Sequence, residues 1–89
     1  MEKTEDQRLR EAILEVINNQ MRDNDPPETK QAFLRLHKEG FSKEETLKLI
    51  GYVVASEVFT VLKENRPYDN EKYIEALKAL PKLPWEKEV

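Results

Sequence analysis

The sequence contains no cysteine, only one histidine and only two glycines among its 89 residues. Without cysteine there are neither disulfide bonds nor thiolate metal ligands. A zinc site would have to depend mainly on carboxylates, which is uncommon for zinc. We therefore expect no metal site and no cofactor.

The sequence also lacks a long apolar run. The most apolar stretch, residues 50–62, is interrupted by Ser56, Glu57 and Thr60 and is shorter than a membrane-spanning helix requires. The first residues, Met1-Glu2-Lys3-Thr4, are polar and do not lead into the apolar segment of a signal peptide. These features predict a cytoplasmic protein that does not bind membranes.

Charge of one sign is not in large excess. Charged residues make up 37% of the chain, but they nearly cancel to a net charge of −3, and the two signs are interspersed. Nucleic-acid binding depends strongly on neutralisation of phosphates by basic side chains. An acidic balance without a basic stripe therefore argues against nucleic acid as a partner.

Local signals mark where helices begin. Thr4 with Gln7, and Ser42 with Glu45, have the spacing of a capping box, in which each side chain bonds the backbone of the other residue. Asp69 is a further N-cap candidate. These signals predict the starts of a first, a third and a fourth helix.

The boundaries of the second helix come from proline and glycine. Asp25 followed by Pro26 predicts an N-cap and a first helical residue, with Glu28 completing the cap. Gly40 predicts a left-handed residue that ends this helix, with Phe41 packing back against it.

The sequence thus predicts a single all-α domain over residues 1–89. It is a compact bundle of four helices, at about 5–24, 26–39, 43–65 and 70–80, with an extended proline-rich tail over 81–89. The third helix is apolar on several sides, which indicates a central helix covered by several neighbours. Gly51 and Ala55 form a strip along it that allows close approach of another helix.

The third helix has apolar residues on more sides than the other, shorter helices can bury. This pattern suggests a protein-interaction or structural module. Such a module would pair with itself or with another protein. The tail offers two alternatives, because its aromatic end either folds back on the bundle or docks on a partner; we favour folding back. The expected interaction surface comprises Leu49, Tyr52, Val53, Phe59, Leu83 and Trp85.

No residue pattern indicates an enzyme. His37 lies at the end of a helix, where a surface role is expected. Asp23, Asp25 and Glu28 do not match a calcium-binding loop. Glu57 lies at the edge of an apolar stripe, where a partly buried carboxylate can act as an acid or base; we prefer a boundary residue that reaches solvent or pairs with lysine or arginine. We therefore predict no catalytic residues.

A nucleic-acid-binding regulator is the alternative function. Residues 34–54, helix, Gly40 and helix, have the outline of a helix-turn-helix. In that motif the second helix presents polar side chains to base edges. Here it would present Ile50, Val53 and Val54, which favours a role in the core.

Several short motifs between residues 24 and 85 resemble a family of short bacterial proteins catalogued as a domain of unknown function. The resemblance implies a helical fold and a bacterial origin, and it carries no catalytic residue. Longer members have histidines near the turn occupied here by Ser42 to Glu45, so a metal role does not transfer. The matching stretches are Asn24-Asp25-Pro26-Pro27-Glu28, Glu39-Gly40-Phe41-Ser42-Lys43-Glu44-Glu45, Leu49-Ile50-Gly51, Arg66-Pro67-Tyr68-Asp69 and Leu80-Pro81-Lys82-Leu83-Pro84-Trp85.

Overall fold

The structure is a computed structural model that describes residues 4–86. These residues form four helices and no strand, which confirms the all-α prediction. The bounds are α1, Glu5–Asp23; α2, Pro27–Lys38; α3, Lys43–Glu64; and α4, Asn70–Ala79.

Both capping boxes form as the sequence predicts. The Gln7 backbone N–H donates to Thr4 Oγ1 at 3.1 Å, and the Thr4 N–H donates to Gln7 Oε1 at 2.9 Å. Ser42 and Glu45 make the same reciprocal pair at 3.1 and 2.9 Å. Each box satisfies two N–H groups that the first helical turn leaves without a partner.

The junction between α1 and α2 differs from the prediction. Asp25 does not cap α2; the N-cap is Pro26, no side chain caps it, and Pro27 is the first helical residue. The Asp25 N–H instead donates to the Gln20 carbonyl at 3.0 Å, and Asn24 is left-handed with φ of 52°. Asp25 therefore belongs to the turn that ends α1, so α2 begins one residue later than expected.

The end of α2 forms a Schellman motif, as predicted. Gly40 has a φ of +109°, which suits glycine because it has no Cβ. The Gly40 N–H donates to the His37 carbonyl and the Phe41 N–H donates to the Leu36 carbonyl, both at 3.1 Å. Phe41 packs against the core next to this turn.

The core lies around α3, the longest helix, which packs against each of the other three helices; α2 does so too, so α3 shares the central place that the sequence predicts for it alone. The buried core also includes Leu80, the residue that follows the last residue of α4. None of the helices within residues 4–86 is long and apolar enough to cross a membrane. The buried apolar residues are Ile17, Ala32, Leu36, Ile50, Val53, Val54, Tyr73, Leu77 and Leu80.

Helices α1 and α4 both pack on the bundle, but their backbones do not approach each other. One side of α1 is therefore left uncovered. Leu9 and Val16 share the helical spacing of Ile13 and Ile17, yet both are exposed, and Ile17 is the residue of α1 that is fully buried.

The described part of the tail is not extended throughout, in contrast to the prediction. The Lys82 N–H donates to the Ala79 carbonyl and the Glu86 N–H donates to the Leu83 carbonyl, both at 3.0 Å, so the segment makes two turns. Residues 87–89 lie outside the described residues.

Arg35 of α2 holds the end of α4 in place. Its Nη1 donates to the Leu80 carbonyl at 2.9 Å and its Nη2 donates to the Leu77 carbonyl at 3.2 Å. A guanidinium group at this position both satisfies terminal carbonyls and offsets the negative end of the helix dipole. This contact fixes the point from which the tail turns back.

Candidate functional site

The outward side of α3 is apolar and aromatic. Tyr52 is 44% exposed and Phe59 is 64% exposed. Trp85 is 58% exposed and packs edge to face against Tyr52, with 6.0 Å between the ring centroids. We call Tyr52, Phe59 and Trp85 the outer face; the tail extends it by folding back, yet leaves the indole largely open to solvent.

The other residues of the expected interaction surface are less accessible. Val53 is 1% exposed and belongs to the core, so the prediction that it lies on that surface was wrong. Leu49 and Leu83 are half-buried and pack against the core. The physical reason is the rotation of α3 about its axis, which turns the side of Val53 inward and the side of Tyr52 and Phe59 outward.

A groove lies on α3 between α1 and the segment leading into α4. Its volume is about 320 Å³. Val16 of α1 forms one wall, and Tyr68 and Tyr73 border the other side. The remaining apolar lining comes from α3: Val54, Val58, Val61 and Leu62.

Glu57 also lines this groove, and its environment differs from the prediction. It is only 6% exposed, with the groove as its access to solvent, and among residues 4–86 it forms no ion pair with lysine or arginine. Its Oε1 accepts the Asp69 backbone N–H at 3.3 Å. The turn before α4 thus supplies the hydrogen bond that we expected from a cation.

Gln20 joins the two sides of the groove. The hydroxyl groups of Tyr73 and Thr29 both donate to Gln20 Oε1, at 2.8 and 2.7 Å. This network links α4 and α2 to α1. No local sequence signal selects Gln20, because its partners lie on other helices.

Negative groups surround Tyr68 at the edge of the groove. Burial, followed by the charges of Tyr73, Glu57, Asp25 and Asp69, raises the pKa of Tyr68 to about 12. Burial also raises the pKa of Tyr73, whose ring centroid lies 5.8 Å from that of Tyr68. Acidic side chains therefore lie near one end of a groove whose walls are otherwise mostly apolar.

The remaining candidates from the sequence do not assemble into a site. His37 is exposed, and its Nδ1 lies 3.2 Å from the Phe41 carbonyl oxygen. Residues 4–86 contain no group of three or more potential ligands placed to hold a metal ion. In the segment 34–54, Ile50, Val53 and Val54 are buried, so these residues are not available to bases.

Comparisons with protein-family models, with curated proteins and with solved structures found no match to this chain. The resemblance to a bacterial family therefore stays a prediction. Function is inferred instead from the geometry of the outer face and of the groove.

Proposed function

We propose that the chain is a small non-catalytic protein-interaction module that pairs with a second copy of itself through the outer face of α3. The observation on which this depends is the exposure of Tyr52 and Phe59, two large aromatic residues on the unpacked side of the central helix. Aromatic residues are enriched in protein interfaces and among the residues that contribute most to binding.

The spacing of the outer face suits a symmetric pair. Tyr52 and Phe59 are seven residues apart, so they lie on one side of the helix. Ala55 and Ser56, midway between them, are small and allow close approach of two helices. An antiparallel pair centred there would place each Tyr52 opposite the partner's Phe59, as a two-fold interface requires.

Trp85 and Lys63 add to the same surface. Trp85 extends the apolar area next to Tyr52. Lys63 Nζ lies 5.9 Å from the Phe59 ring centroid, close enough for a cation–π interaction. The outer face therefore has an aromatic centre with a charged edge, which is the usual arrangement of an interface.

Sedimentation equilibrium of the intact chain, up to about 1 mM, tests the proposal. A dimer with a Kd of about 1 mM has a binding free energy of about −4 kcal/mol, so this concentration range also detects weak pairing. We expect the unmodified chain to form dimers and Phe59→Glu to be monomeric with an unchanged helical circular-dichroism spectrum, because Phe59 is exposed in the monomer.

Leu34→Glu is the matched control. Leu34 is also a large exposed apolar residue, but it belongs to α2 and is not one of the residues that form the outer face. It should leave the dimer intact. A monomer at all concentrations, or a dimer that survives Phe59→Glu, would show that the proposal is wrong.

A further inference from the structure

Glu57 is a buried carboxylate that no cation among the described residues neutralises. Its Oε1 has one hydrogen bond, the 3.3 Å contact from the Asp69 N–H. Burying a charge costs free energy unless it is paired and hydrogen-bonded. Because Glu57 lines an open groove, a ligand can supply the missing positive charge.

The rest of the groove suits the apolar part of such a ligand. Val16, Val58 and Leu62 offer aliphatic walls that are at least partly exposed. The volume of about 320 Å³ lies near the lower end of small-molecule sites, which span roughly 300–1,000 Å³. The space therefore fits a small molecule better than a helix of another protein.

Groups at the mouth of the groove also favour a cation. Tyr68, which is 51% exposed, provides an aromatic ring whose face attracts positive charge. The acidic side chains of Asp25 and Asp69 also lie near Tyr68. The nearest basic residue of this segment, Arg66, already pairs with Glu64 at 3.1 Å and lies 4.0 Å from Asp69.

We propose that this groove binds a small amphiphilic amine, with its apolar body between α1 and α3 and its primary ammonium group on the free oxygen of Glu57. An ammonium group has three donors and a full charge, so it satisfies a carboxylate better than a neutral donor does. This ligand site is separate from the outer face, because neither Phe59 nor Tyr52 lines the groove.

Titration of the intact chain with n-hexylammonium, followed by amide proton–nitrogen NMR, tests this inference. The matched probes 1-hexanol and hexanoate have the same apolar body but carry no charge or the opposite charge. We expect n-hexylammonium to shift the amide signals of Val58, Leu62 and Tyr68 and to bind about tenfold more tightly than 1-hexanol, a difference of about 1.4 kcal/mol. Equal affinity for the three probes would overturn the inference.

Two variants localise the site. Glu57→Gln keeps an acceptor for the Asp69 N–H but removes the charge, so it should abolish the preference for n-hexylammonium over 1-hexanol. Leu62→Ala, at a residue exposed enough that the fold should tolerate the change, should weaken binding of both probes. If neither variant changes the affinity for n-hexylammonium, the site is not this groove.

The controls separate this site from the dimer interface. Glu75→Gln removes an exposed carboxylate of α4 outside the groove and should bind n-hexylammonium as the unmodified chain does. Phe59→Glu should do the same even where it dissociates the dimer. Loss of binding in either control would contradict the assignment to Glu57 and the groove.

Discussion

At the scale of single residues, Gln20 of α1 is the polar side chain that connects α1 to both α2 and α4. One oxygen atom accepts two hydroxyl donors, from Thr29 and from Tyr73, and thereby links three helices. Tyr73 is 2% exposed and Thr29 is fully buried, so both donors are shielded from water in the folded chain. A buried donor that loses its acceptor costs more than the hydrogen bond itself contributes.

Gln20→Ala is therefore expected to destabilise the fold more than Tyr73→Phe. The first leaves two hydroxyl groups without an acceptor and should cost about 2–4 kcal/mol of unfolding free energy; the second removes one donor and should cost about 1 kcal/mol. Urea denaturation monitored by circular dichroism measures both. If Tyr73→Phe is the more damaging substitution, the acceptor is not shared in the way that the structure shows.

At the scale of helices, the two glycines have opposite roles. Gly51 lies inside α3, where a Cβ would meet Ile13 Cγ2 of α1 at 3.4 Å, an ordinary van der Waals distance. The sequence suggests that another helix approaches closely here; that helix is α1, and it leaves room for a methyl group. Gly40 has open space around it, yet its φ of +109° is one that other residues rarely adopt.

We expect Gly51→Ala to stabilise the chain by about 0.5–1 kcal/mol, because alanine favours helix over glycine and the site has space. Gly40→Ala should destabilise it by at least about 1 kcal/mol, because an L-residue is strained at this φ even where its side chain meets no neighbour. The melting temperatures should shift in opposite directions, by about 4 °C or more for each kcal/mol in a domain of this size. Destabilisation by both would mean that α1 packs on α3 more tightly than the 3.4 Å contact indicates.

At the scale of the whole molecule, the two tyrosines beside the groove link stability to alkaline pH. The pKa of Tyr68 is raised to about 12 and that of Tyr73 is also raised, burial being the main cause for both. In the unfolded chain these phenols lose their protons near pH 10, whereas in the folded chain they keep them. The unfolded state therefore binds fewer protons above pH 10, and stability must fall as the pH rises from about 10 to 12.

The double variant Tyr68→Phe, Tyr73→Phe isolates this effect from the titration of lysines. Its urea midpoint should fall less between about pH 9 and 11.5 than that of the unmodified chain. Absorbance of tyrosinate, followed in parallel, should show the late titration of Tyr68 in the folded protein and its loss in the variant. An identical pH dependence of the two midpoints would contradict the raised pKa values.

The helix boundaries were predictable because the interactions that set them are local. The bonds between Thr4 and Gln7, and between Ser42 and Glu45, span three residues each, and the turn at Gly40 needs only the backbone of α2. Asp25 is the exception, because it lies between the end of α1 and the start of α2 and can interact with either. Its backbone N–H donates to the Gln20 carbonyl of α1. Local residue preferences do not determine which of two adjacent helices such a residue joins.

The chain's own sequence determined the number of helices, their approximate ends and the central place of α3, since these follow from caps, turns and apolar periodicity. Only the tertiary structure decided which side of α3 is buried. Val53 and Glu57 turn inward whereas Phe59 turns outward, because the covering comes from α1, α2 and α4. Glu57 meets Asp69 and Gln20 meets Tyr73, 53 residues further along the chain, only after the helices have packed.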